Sequence, residues 1–131
     1  MPPLKRARLV GEVLATYRRA RRLMRNADLP TALRELRAHE SSAGPEPADS
    51  LFVAARLSRA VTLVLARLPT DKRCLIRSLV LSSMLARRQI PASLVLGVRP
   101  EASEPFLAHA WVEHAGVPLI PDEGYNRLHE L

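Results

Sequence analysis

Cys74 is the only cysteine in the chain. The string Lys72-Arg73-Cys74-Leu75-Ile76-Arg77-Ser78-Leu79 sets it just inside the start of an apolar helix. Amide N–H groups without intrahelical partners and the positive end of the helix dipole favour a thiolate at such a place. A thiolate is a nucleophile competent for acyl chemistry. His109 lies between Ala108 and Ala110 in an alternating run, where small neighbours leave its ring accessible and a strand would fix its direction. Each residue alone also has an ordinary explanation. Free cysteines are mostly buried small hydrophobes, and a strand histidine can simply be held by a backbone carbonyl. Together they make a candidate nucleophile and base. Such a pair needs a third group on the far imidazole nitrogen to hold the tautomer. Asp122 is placed for this just past a short third strand, with Glu123 its nearest competitor. Glu113 shares the pleat face of His109, about two residue pairs along the same strand, too far for direct contact.

The elements that must position these residues follow from periodicity. Residues 4–24 carry Leu4, Ala7, Val10, Leu14, Tyr17 and Ala20 at helical spacing, with arginines on the other side. A short helix is predicted over 31–39, capped by Thr31. Residues 41–47 read as a linker rich in Ser, Gly and Pro. An apolar helix is predicted over 49–68, ended by Pro69. The cysteine helix should run from Asp71 or Lys72 to Arg88, capped by Thr70 or Asp71, with one apolar face and Arg87 and Arg88 at the negative dipole end. Ser78, Ser82 and Ser83 would allow close helix packing. The period then becomes alternating. Strands are predicted over 93–98, 106–114 and 117–120, with Ala115-Gly116 as the hairpin turn. Residues 121–131 read as polar loop with a turn of helix. Helices followed by a small antiparallel sheet give an α+β fold.

The 131 residues suit one domain, and 47% hydrophobic content can build a core. The formal net charge is +7, and nearly all of it lies in the first 40 residues, which hold ten Lys or Arg against four acids. That segment is a solvated helix face, a docking surface for an acidic partner, or a nucleic-acid or membrane contact. One cysteine excludes an intramolecular disulfide. The sequence has no apolar signal core and no run of the ~20 apolar residues that a membrane span needs. A cytoplasmic protein is expected. His39, His109, His114 and His129 lack zinc-ligand spacing. No phosphate loop or dinucleotide fingerprint is present, so no cofactor is expected.

Cys74-Leu-x-Arg-Ser-Leu79, the helix end Arg87-Arg88, Leu96-Gly-Val98, and Phe106-x-Ala-His-Ala-Trp-Val-Glu113 followed by Gly116 resemble the leader peptidases of lasso-peptide biosynthesis, the transglutaminase-like B proteins. The resemblance runs from about residue 50 to 125. It implies a papain/transglutaminase-like core, set here at 46–131, while the charge asymmetry and the Ser, Gly and Pro run make 1–45 a basic helical arm and linker separated from it. It also implies a Cys74–His109–Asp122 triad, although the family position falls near Pro121, one residue before Asp122. The family removes the leader from a ribosomally made precursor. A separate leader-recognition protein and an ATP-dependent macrolactam synthetase are the implied partners, and nucleic acid is not. Two other readings compete: a transglutaminase-like acyl transferase, which shares the first half-reaction, and a non-enzymatic basic binding module. Trp111, on the face of His109, can shield the pair or pack in the core. Arg77 reads as a structural ion-pair partner, with Glu113 a candidate for the other member.

Overall fold

The computed structural model describes residues 3–38, 46–68, 73–98, 108–119 and 126–131. Helices α1 (Pro3–Asn26), α2 (Leu29–Arg37), α3 (Ser50–Leu65) and α4 (Arg73–Arg87) come first. Strands β1 (Ser93–Val98), β2 (Ala108–His114), β3 (Val117–Pro118) and β4 (Asn126–Glu130) follow. They form one antiparallel sheet in the order β3-β2-β1-β4. This is the α+β arrangement expected from periodicity. Among the described residues no helix is long and apolar enough to cross a membrane.

Helix α4 is the hub, with α1, α2, α3, β1 and β2 all packed against it. Every residue from Ser78 to Ala86 is buried. That run covers more than two turns and so points in every direction around the axis. The single apolar face expected for this helix is therefore a fully enclosed surface. Two of its three serines are satisfied there, while Ser82 Oγ is buried with no hydrogen-bond partner among the described residues. Ser83 Oγ donates to the Leu36 carbonyl of α2 at 3.0 Å, and Ser78 Oγ donates back to the Cys74 carbonyl at 2.8 Å.

The basic N-terminal segment is not an arm apart from the core. Val13, Tyr17 and Ala20 of α1 and Leu33 and Leu36 of α2 belong to the same buried cluster as Val61, Leu79, Leu85, Leu94 and Val112. Each valine or leucine among them contributes about 1.5–3 kcal/mol by leaving water. The charge count reflects the exposed side of α1, while its apolar stripe is committed to α3 and α4. The linker expected at 41–47 lies mostly outside the described residues.

Both ends of α4 explain local features. At its C-terminus the Gln89 N–H donates to Ala86 O at 3.1 Å and the Ile90 N–H to Leu85 O at 3.0 Å. Gln89 has φ +61°. This is a Schellman cap with glutamine where glycine is usual. Arg88 donates to both carboxylate oxygens of Glu12, at 2.8 and 2.6 Å, and Arg87 donates to Glu12 Oε2 at 3.1 Å. Helix α1 is thereby bolted to the end of α4. Helix α2 begins two residues before the expected Thr31. Its cap is Asp28, whose Oδ1 accepts from the Thr31 N–H at 2.9 Å, with Pro30 in the first turn.

In the sheet, β1 and β2 pair without interruption from Ser93↔Glu113 to Val98↔Ala108. Ala115 and Gly116, both at positive φ (51° and 78°), form the hairpin turn into β3, as type I′ geometry requires. The third strand is shorter than expected, ending at Pro118. Strand β4 replaces the loop expected at the C-terminus. It pairs with the free edge of β1 through a register shift at Leu96/Gly97. At the other end of β2, His114 Nδ1 donates to Pro91 O at 2.6 Å and its Nε2 lies 3.1 Å from Ser50 Oγ, which donates to Glu46 at 2.7 Å. The end of β2 is thus tied to the α4–β1 turn and to the start of α3.

The arginine hydrogen bonds hold the Glu12 carboxyl below its ordinary range, Arg88 contributing most, against the opposing effect of burial. A depressed folded-state value means that stability is gained above the unfolded carboxylate value and lost as pH falls through the folded one. Glu12→Gln should lower stability by about 1–2 kcal/mol at neutral pH. In urea titrations the difference from wild type should shrink as pH drops below the ordinary glutamate value of about 4.3.

Candidate functional site

The first turn of α4 carries Cys74, half-buried and with a free thiol. Because the helix starts at Arg73, the Cys74 amide is among the first four, which have no acceptor within the helix. The Cys74 carbonyl is occupied by Ser78 as well as by the helix. The thiol therefore sits beside backbone donors, which is the electrostatic setting of an oxyanion site. The caps expected from Thr70 or Asp71 lie outside the described residues.

His109 is the second residue of β2, and it is buried. Its cross-strand partner is Gly97 of β1. A glycine there leaves the space beside the imidazole without a side chain. Alternation puts His109, Trp111 and Glu113 on one face of β2, and Ala110, Val112 and His114 on the other. Val112, with Leu94, enters the common core. On the His109 face the three side chains form a column. The His109 and Trp111 rings stack with centroids 5.7 Å apart at 25°. The Trp111 indole N–H donates to Glu113 Oε2 at 2.8 Å. All three are at least nine-tenths buried. Glu113 thus reaches His109 through the indole, as its distance along the strand requires. It orients Trp111, and Trp111 restrains the imidazole.

Cys74 and His109 both lie away from the α4–β1 turn, and alternation puts His109 on the β2 face opposite Val112, the residue that packs in the core with α4. Strand β2 finishes against the α4–β1 turn, where His114 meets Pro91. From there α4 and β2 lie against each other. His109 is about 17 Å back along β2 from His114, and Cys74 is about 20 Å back along α4 from Arg87. The two lengths are similar, so both residues lie well back from that turn. Asp122 and Glu123, in the connection from β3 to β4, lie outside the described residues. A shallow groove of about 430 Å³ lies at the opposite end of β2, lined by Pro91, Ala92, Ser93, Glu113, Ala115, Gly116 and Glu130. It includes neither Cys74 nor His109.

The column is only partly legible in the sequence. The shared face of His109, Trp111 and Glu113 follows from alternation. The indole bond that links them does not, because side-chain rotamers are not encoded in spacing. Among the described residues no three His, Cys, Asp or Glu gather as metal ligands.

The column makes a stability prediction. Glu113→Ala leaves a buried indole N–H unpaired and should cost about 1–3 kcal/mol. Glu113→Gln keeps an acceptor oxygen and should cost less than half as much. Thermal melts of the two variants beside wild type check this.

Residues 13–131 match the family described as the transglutaminase-like superfamily. No curated protein and no solved structure matches the chain.

Proposed function

We propose that this chain, which belongs to the transglutaminase-like superfamily over residues 13–131, is a cysteine peptidase that removes the leader from a lasso-peptide precursor. The observation that carries the reading is positional. The only thiol of a superfamily member stands at the start of the central helix, and His109 stands on the strand packed along that helix. The strings around both residues resemble the leader peptidases and narrow the substrate to a ribosomally made precursor.

In this reading the Cys74 thiolate attacks the scissile carbonyl carbon. The C–N bond breaks, and the leaving amine takes its proton from His109. The leader remains as a thioester on Cys74, and the core peptide departs with a free N-terminus. Water, deprotonated by His109, then hydrolyses the thioester. The Cys74 backbone N–H stabilises the oxyanion. For the pair to react, the thiol must meet the face of β2 that carries His109 and Trp111, not the Val112 face. Trp111 acts as a positioning residue that keeps the imidazole from rotating away. Asp122 is proposed as the group on the far imidazole nitrogen, with Glu123 the competing candidate. A separate leader-recognition protein presents the substrate, and a macrolactam synthetase consumes the freed core.

The test mixes the purified chain with its precursor peptide and the recognition protein, and reads the products by mass spectrometry. Wild type should release the core, whereas Cys74→Ala and His109→Ala should each reduce cleavage by at least about 10³-fold. Undiminished cleavage by Cys74→Ala would sink the assignment. If the leader instead emerges joined to an added amine, the chain is an acyl transferase with the same nucleophile. Asp122→Ala should lose far more activity than Glu123→Ala, and the reverse order would move the third role to Glu123.

A further inference from the structure

Helix α3 has an outer surface that the fold does not use. Phe52 is 64% exposed and Leu63 is 58% exposed, the largest exposures of big apolar residues on this helix. At 100° per residue, Phe52, Arg56, Arg59 and Leu63 fall within a stripe about 60° wide. The two apolar residues mark its ends, ~16 Å apart along the axis, and the two arginines lie between them. Arg67 continues the positive charge just past the helix. No Asp or Glu occurs from Ser50 to Thr70. Among the described residues Arg56, Arg59 and Arg67 form no ion pair with a carboxylate. The Arg56 guanidinium lies over the Phe52 ring, 5.8 Å from its centroid, which holds both side chains out together. On α1, Arg21 donates to the Tyr17 hydroxyl and Arg19 to the Glu35 carbonyl, and the other exposed arginines there have no large exposed aromatic beside them.

We infer that this stripe is a docking surface for an acidic amphipathic segment of a partner protein. Such a segment would carry carboxylates opposite Arg56 and Arg59 and an apolar side chain at each end. Charge complementarity selects this occupant over the others. A second copy of the chain would set arginine against arginine. A nucleic-acid backbone would satisfy the arginines but leave Phe52 and Leu63 without partners. A membrane-surface helix separates its apolar and basic faces, whereas here the arginines sit between the apolar residues in one stripe. Acidic side chains with apolar anchors satisfy both halves of the surface at once.

The probe is a fluorescein-labelled helical peptide with two leucines eleven residues apart and glutamates between them. Fluorescence anisotropy should show saturable binding by the full chain, weakening with added salt. Arg56→Glu/Arg59→Glu and Phe52→Ser/Leu63→Ser should each weaken binding at least tenfold. Arg56→Gln/Arg59→Gln provides a milder second test, and circular dichroism confirms that each variant is folded. Amide exchange should slow in α3 on binding. Several results would overturn the inference: no saturable binding, unchanged binding in folded variants, equal binding of an all-glutamate peptide, or tighter binding to duplex DNA or anionic phosphatidylglycerol vesicles. The readout does not involve Cys74, so it stands apart from the catalytic assignment.

Discussion

Enclosing one helix on every side is the constraint from which the rest of this structure follows. A helix buried all round must carry side chains that are apolar, or polar and locally satisfied. Helix α4 meets that demand with leucines, an isoleucine, a valine and a methionine, and with Ser78 and Ser83 bonded to backbone carbonyls, Ser82 being the exception. Its own length then leaves only its two ends for other work. The C-terminal end is closed by a glutamine Schellman cap and by the clasp on Glu12. The N-terminal end keeps its backbone donors and carries the thiol. The helices before it are needed to finish the enclosure, which is why the basic N-terminal segment is structural as well as charged.

The sheet imposes the second constraint. Side chains alternate along a strand, so slipping β2 by one residue would send His109, Trp111 and Glu113 to the other face together. Uninterrupted pairing with β1, a tight positive-φ turn into β3, and the bond from His114 to Pro91 hold the register. The imidazole is then held by neighbours on its own strand: an indole stacked on it and a carboxylate fixing the indole. Gly97, its cross-strand partner, adds no side chain beside it. This division of labour suits a base that must keep one orientation while a substrate approaches.

Much of this architecture is legible in the amino-acid sequence. Helical period marks α1, α3 and α4 to within a few residues, and the change to alternation after Pro91 marks both ends of β1. Patterns fail where local chemistry competes with periodicity. Asp28 takes the cap of α2 because Pro30 is tolerated inside a first turn. Strand β4 is hidden because Asn126-Arg-Leu-His-Glu130 has no β-branched residue, and its pairing is driven by the open edge of β1 instead. The charge asymmetry suggests a detached arm, since composition does not report which face of an amphipathic helix is buried. The two proposed catalytic residues, Cys74 and His109, can be picked out because helix starts and strand alternation are local properties. The proposed acid cannot, because its place depends on the connection between β3 and β4.

The central claim is that Cys74 and His109 meet as a working pair. A short bifunctional alkylating agent, 1,3-dibromoacetone, reports this directly, since it bridges a reactive thiol to an imidazole in contact with it. Peptide mapping of the treated protein should recover a covalent link between Cys74 and His109, absent in His109→Ala. Alkylation of Cys74 that stays unbridged in the folded wild type, or a bridge to His114 or His129, would contradict the account.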